Sequence, residues 1–310
     1  MIALIAVMLT SCKKDPPVCD FTYVATGLSV SFTSTSTNTD TYLWEFGDTQ
    51  TSTEMNPVHV YIGAGTFNVK LTVTGEGGTD YKRVDVAVVV TAADVKNMLT
   101  GGAGAANGKT WVLKTTVTST DGGSAINQAM TILFPIPADF FTMLGSEKND
   151  GKKDEYTFKY NGSYSIATKN DTSLAITIFA TVNGIGIPNT NTPSGTCRIK
   201  GYVQPAGATW TLNETNITVN AISPDPMTQT VPPNLANVTI TGQKWLSLSA
   251  GSFLGFNDFT TSTNLIIKSI SPTEMQVAMI VCLYQGAGLA GGIAYANKPN
   301  LMFHMTFIPK

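Results

Sequence analysis

The feature that most constrains this chain is a two-residue alternation of apolar and polar side chains, repeated in short runs between turn-forming clusters. It is plain in Leu28-Ser29-Val30-Ser31-Phe32 and again in Phe67-Asn68-Val69-Lys70-Leu71-Thr72-Val73. Successive side chains of a strand point to opposite faces, so Leu28, Val30 and Phe32 share one face, and Phe67, Val69, Leu71 and Val73 share another. Two such faces bury each other as a β-sandwich. The same texture resumes at Lys109-Thr110-Trp111-Val112-Leu113. Glu155–Tyr160 and Ser163–Ile166 flank Asn161-Gly162, a strong hairpin signal. Further runs at Ala175–Val182, Cys197–Val203, Thr209–Leu212, Asn237–Ile240, Lys244–Leu248, Asn264–Ile270, Glu274–Leu283 and Leu301–Ile308 predict a second, larger all-β domain of sandwich or jelly-roll type.

A length of 310 residues suits two such domains. Charged residues make up 13% and the net charge is -2, so no basic field exists to attract nucleic acid or an anionic membrane surface. The two histidines, His59 and His304, leave little material for an imidazole metal site or a nucleophile-base pair. The four cysteines, Cys12, Cys19, Cys197 and Cys282, have no C-x-x-C spacing. The sequence predicts no catalytic residues, no cofactor and no metal.

Met1 to Leu9 is apolar and ends in Leu9-Thr10-Ser11-Cys12, after which Lys13, Lys14 and Asp15 bring charge. The run is too short to span a bilayer, which needs ~20 apolar residues, and reads as a signal-peptide core. Leu9-Thr10-Ser11-Cys12 resembles the bacterial lipobox, which implies cleavage before Cys12 and lipid attachment to its thiol. On that reading residues 1–11 are a lipoprotein signal peptide and 12–18 a lipid-anchored tether, the only link to a membrane. The alternative is a buried N-terminal strand with an ordinary cysteine.

Between the alternating runs lie Trp44-Glu45-Phe46-Gly47-Asp48, then Asn56-Pro57-Val58-His59-Val60-Tyr61, then Gly65-Thr66-Phe67. These blocks, in this order, resemble the PKD domain family, with its W-x-F-G-D, N-P-x-H-x-Y and G-T-Y/F-x-V-x-L-x-V pattern. The resemblance implies an immunoglobulin-like β-sandwich over residues 19–91. Trp44 is then a core ring and Gly47-Asp48 a turn, ahead of any role for Trp44 as a sugar platform or His59 as a metal ligand. In exported proteins such modules look like spacers and interaction modules.

Residues 92–108 read as a linker: Ala92 to Leu99 has weak helical spacing, and Gly101 to Gly108 has nothing to pack. Residues 109–310 are the C-terminal β-domain. Its Gly108-Lys109-Thr110-Trp111-Val112-Leu113, Asp154-Glu155-Tyr156-Thr157-Phe158 with Tyr164, and Ile267 to Met275 resemble the β-sandwich that follows PKD in surface lipoproteins of Bacteroidetes-type bacteria. That resemblance implies carbohydrate binding on the outer membrane beside glycan-uptake proteins. Sugar sites need exposed rings, and the candidates are Trp210, Trp245 and Trp111. Trp111 and Trp245 also sit at core positions of alternating strands, and Trp210 is open to either role. Ala138 to Leu144 could form one helix in a loop. Asn149, Asp150, Asp154 and Glu155 read as a solvated loop before a Ca²⁺ site, lacking EF-hand spacing. Cys197 and Cys282 could bridge or stay buried thiols. The expectation is a non-catalytic binding protein for poly- or oligosaccharide; the alternative is an adhesive protein binding protein partners, with a glycoside-active enzyme third.

Overall fold

The computed structural model describes residues 14–114, 116–135, 154–168, 172–176, 186–187, 196–200, 202–223, 234–255, 263–281, 299 and 301–310. Cys12, the segment 138–144, Asn149, Asp150 and Cys282 lie outside the described residues, as does the side chain of Cys197. The chain divides into two compact units between Asp94 and Val95.

Among its described residues the N-terminal unit has seven strands: β1 (Phe21–Thr26), β2 (Ser29–Ser34), β3 (Thr41–Glu45), β4 (Thr51–Ser52), β5 (Val58–Val60), β6 (Gly65–Gly75) and β7 (Gly78–Val88). They form two antiparallel sheets, ordered β1-β2-β5 and β4-β3-β6-β7. The alternation read from the sequence sets the inner faces. Leu28, Val30 and Phe32 are buried on one side, and Trp44, Val69, Leu71, Val73, Val86 and Val88 on the other. Burying such faces against each other is the main driving force for the unit. The sandwich is therefore the expected one.

Helix α1 (Ala92–Thr100) runs across that division, and the C-terminal unit continues through β8 (Lys109–Leu113), β9 (Gly122–Ser124), β10 (Phe134–Pro135), β11 (Glu155–Phe158), β12 (Tyr164–Ala167), β13 (Thr172–Ile176), β14 (Gly186–Ile187) and β15 (Thr196–Lys200). It ends with β16 (Trp210–Asn213), β17 (Ile217–Ser223), β18 (Asn234–Ile240), β19 (Lys244–Leu248), β20 (Thr263–Ile270), β21 (Met275–Val281) and β22 (Leu301–Pro309). Residues 92–108 are thus more than the expected linker. Thr91 and Asp94 bond reciprocally across the first turn, Thr91 N donating to Asp94 Oδ2 at 2.8 Å and Asp94 N to Thr91 Oγ1 at 3.2 Å. That capping box starts the helix, and Gly101, at φ 80°, ends it in the left-handed conformation that suits glycine. Val95, Met98 and Leu99 are buried.

The large sheet follows the path β12-β11-β8-β22-β21-β20-β19-β16, with β9 and β10 attached at β22. Its two end strands meet. Ser163 bridges Thr209, Tyr164 N donates to Ala208 O and Trp210 N to Gly162 O, both at 2.9 Å. The eight path strands therefore close into an antiparallel barrel, each beside its predecessor in the chain, and closure removes the exposed edges that an open sheet leaves. The Asn161-Gly162 hairpin falls where the sequence predicts, pairing Phe158 with Tyr164, and its turn carries the closing contact.

All seven residues of β21 are buried, as an almost continuous apolar run requires when both sheet faces are covered. On the outer face Ile266, Ala278, Ile280 and Met302 pack with Ile217, Val219, Ala221 and Ile240 of the β17–β18 hairpin. That hairpin is a second layer over the barrel wall. Its first strand and the short β9, β10 and β14 were not read from the sequence. The strand expected at Ala175–Val182 begins three residues earlier, at Thr172.

Candidate functional site

The barrel interior is lined with rings. Tyr156 lies 6.1 Å from Phe253 and 5.9 Å from Phe307 between ring centroids, and Phe158 lies 4.8 Å from Tyr164 and 5.9 Å from Trp210. Their polar tips reach main-chain acceptors: Tyr164 Oη donates to Phe253 O at 2.5 Å and Tyr156 Oη to Gly255 O at 3.3 Å. A buried hydroxyl without such a partner would be destabilising. Burial also pushes the Tyr164 hydroxyl well above the ordinary tyrosine range, the nearby Tyr156 and Tyr202 adding to it. Among the described residues the interior is thus occupied by protein side chains.

Two of the three tryptophans proposed for sugar stacking belong to that interior. Trp111 is 0% exposed and its indole N–H donates to Leu99 O of α1 at 2.8 Å. Trp210 is 5% exposed and donates to Lys159 O at 3.0 Å. Neither offers a ring face to a ligand, which corrects both candidacies: their strands turn them inward. Trp245 points the other way, half-buried against the hairpin core, with Nε1 2.9 Å from Thr215 O. It alone of the three keeps part of its ring near the surface. Beside the barrel seam a cleft of about 350 Å³ is lined by Ser163, Tyr164, Gln204, Pro205, Gly207, Ala208 and Thr209. Gln204 spans the edge of β12, its amide donating to Tyr164 O at 2.8 Å and accepting from Ile166 N at 2.7 Å, as a neighbouring strand would.

A polar cluster that sequence reading missed lies under β22. Ser124 Oγ and His304 Nε2 are 2.7 Å apart, and both residues are fully buried. Asp121 is buried beside them, but its carboxylate accepts from Thr306 Oγ1 at 2.7 Å, Thr118 N at 2.7 Å and Thr118 Oγ1 at 2.8 Å. The residue types of a nucleophile triad are present without its geometry, because His304 Nδ1 has no partner among the described residues. Burial, helped by the charge of Lys268, lowers the His304 pKa to about 4, so the imidazole is neutral at pH 7. The cluster ties β9 to β22. Among the described residues, no three His, Cys, Asp or Glu side chains group as a metal site. Asp154 is buried rather than in a solvated loop, and Glu155 Oε1 pairs with Lys310 Nζ at 2.7 Å.

In the N-terminal unit the sequence blocks converge on one stack. Phe46 lies flat on His59 at 4.1 Å, Tyr61 stands edge-on to His59 at 4.5 Å, and Phe67 stacks on Tyr61 at 4.0 Å. His59 Nε2 is 2.8 Å from Asp48 Oδ2, and Tyr61 Oη donates to Phe46 O at 3.0 Å. Burial, with the Asp48 charge behind it, pushes the Tyr61 hydroxyl up to about 12. Asn56 Oδ1 accepts from Ser34 N at 2.9 Å, tying the Asn56-Pro57 turn to β2. At Gly47, φ 83°, a Cβ would approach the Asn68 main chain to 3.0 Å. The sequence profile of the PKD domain family matches residues 14–90. This unit is a PKD domain.

Its relatives are larger proteins. Collagenase ColA of Bacillus cereus is 56% identical over 41 residues, 13% of this chain and 4% of the collagenase. The chain therefore spans only a small fraction of the curated relatives it matches. The solved PKD1 domain of the Vibrio cholerae metalloprotease PrtV is 38% identical, with 24% of this chain and all of that domain covered, at a TM-score of 0.23. A solved structure described for carbohydrate-binding modules of the β-sandwich superfamily aligns over 95% of this chain and 92% of its own, at 12% identity and a TM-score of 0.24, too slight a likeness to transfer anything. The profile match, over residues 14–90, contains all three PKD blocks. Trp44, fully buried with its N–H donating to Glu54 O at 2.9 Å, and His59, buried on β5, are core residues of the PKD domain.

Proposed function

We propose that the chain is a non-catalytic, exported binding protein, lipid-anchored through Cys12 to a bacterial outer membrane, whose PKD domain acts as a spacer and interaction module. Its ligand on this reading is a poly- or oligosaccharide captured at the cell surface, beside outer-membrane glycan-uptake proteins. The observation that carries the binding role is the filled barrel. An eight-stranded barrel is only wide enough for side chains or one small ligand, and here the rings of Trp111, Tyr156, Phe158, Trp210 and Phe307 occupy it. Contact with a ligand is left to outer surfaces, which suits a polymer.

The test is an affinity-gel and glycan-array screen of the full chain carrying Cys12→Ser, with Trp245→Ala as the variant in the C-terminal unit. Retardation by a soluble polysaccharide supports the reading; no response to any glycan overturns the ligand. Incorporation of an alkyne-tagged fatty acid into the wild type but not into Cys12→Ser tests the anchor.

The alternative is an adhesive protein with protein partners, and one observation favours it. Strand β5 lies at a sheet edge, and Val58, Val60 and Ile62 are exposed there. Such an edge accepts an added strand.

A further inference from the structure

We propose that the outer face of the four-stranded PKD sheet is itself a contact surface for a neutral polysaccharide chain; this rests on the sugar-binding reading above. Residues directly opposite each other on antiparallel strands share a face, and three rows follow from the register of β3, β6 and β7. Leu43, Thr72 and Tyr81 form the middle row; Glu45, Lys70 and Arg83 flank it on one side, and Thr41, Thr74 and Thr79 on the other. Their chain neighbours Trp44, Leu71 and Val73 point into the core, so this face is the outer one. Tyr81 is 62% exposed and Leu43 42%.

The chemistry of the rows selects the ligand. Two strand spacings, about 10 Å, separate Leu43 from Tyr81 with Thr72 between them; Lys70 Nζ stands 5.7 Å from the centre of the Tyr81 ring on one side, and the C–H face of a pyranose can lie on the other. Hydrogen-bonding groups stand on both sides, as sugar hydroxyls require. Lys70 Nζ donates to Glu45 Oε2 at 2.8 Å, and Arg83 Nη1 donates to Asn68 Oδ1 at 2.9 Å while Asn68 Nδ2 donates to Asp85 Oδ1 at 2.7 Å. These pairs hold the side chains in place before a ligand arrives. Glu45 and Asp85 balance Lys70 and Arg83, so the face has no net charge to attract an acidic or basic polymer.

The experiment is affinity electrophoresis of the full chain with Cys12→Ser through gels holding mixed-linkage β-glucan, xylan, soluble starch, polygalacturonate or gelatin. Tyr81→Ala, Tyr81→Phe and Trp245→Ala are run beside it, with their unfolding temperatures measured. We expect Tyr81→Ala to weaken binding of a neutral glycan about tenfold. Tyr81→Phe should retain binding, and both should keep the parent's unfolding temperature. If the parent binds a neutral glycan and Trp245→Ala abolishes it while Tyr81→Ala does not, the sugar-binding reading survives and this surface is overturned. If the parent binds only polygalacturonate or only gelatin, the neutral-glycan assignment is overturned. If it binds none of the gels, both readings fall together.

Discussion

The two units solve the same problem, burying alternating strands, in opposite ways. The PKD domain stacks two separate sheets and leaves their ends open, as the exposed Val58 and Val60 of β5 show. The C-terminal unit curls one sheet until β12 meets β16 and fills the inside with rings. In the first, the core is a short aromatic stack that local sequence blocks assemble, and the outer faces are free. In the second, the core depends on strands far apart in the chain. A filled barrel leaves only outer surfaces for the contacts proposed above.

Core deletions should separate the units most strongly. Trp111→Ala removes a fully buried ring and its hydrogen bond, and we expect a loss of about 3–5 kcal/mol in the C-terminal unit. Trp44→Ala should do the same to the PKD domain. Calorimetry should show each variant lowering its own unit's transition and leaving the other in place; loss of both together would mean the units are not independent.

Through His304, acid should weaken the barrel unit. Its folded pKa, about 4, lies below the value of 6.5 for a free imidazole, so below pH 6.5 the unfolded chain takes up the proton first. The contribution is intact above pH 6.5 and is lost as the pH falls to 4, by about 3 kcal/mol in all. Urea unfolding of His304→Gln across that window should show a flatter pH dependence than the wild type.

The barrel seam is a smaller lever. Gln204→Ala leaves Tyr164 O and Ile166 N without their side-chain partner, and should lower stability by about 1–3 kcal/mol, with faster hydrogen exchange at Ile166. In the PKD domain Tyr61→Phe strips one hydrogen bond from Phe46 O and should cost about 1 kcal/mol, measured by the same unfolding titration. Equal losses at the seam and in the stack would remove the distinction drawn between closure and local packing.

Much of this architecture was legible before any coordinates. Leu28, Val30 and Phe32, and Val69, Leu71 and Val73, fall on the buried faces that period two assigns them. Strands β8 and β19 begin and end where the pattern puts them, and Asn161-Gly162 turns the hairpin it announces. The helix α1 was not read: its apolar spacing is sparse enough that residues 92–108 were expected to be a linker, and its cap rests on Thr91 and Asp94 bonding across one turn. Strand β9 was not: Gly122-Gly123-Ser124 has no pattern, and only pairing with Phe303 and His304 makes it a strand.

The sequence by itself determined which residues alternate, where the turns fall and that the first unit is a PKD domain, because each of these is written in neighbours a few positions apart. Tertiary structure decided that the second sheet closes, that Trp111 and Trp210 face inward while Trp245 does not, that Ser124 meets His304, and that Leu43 and Tyr81 share an open face. Those facts join residues as far as 180 positions apart in the chain. Side-chain period says that a strand has two faces; only the pairing of distant strands says which face meets water.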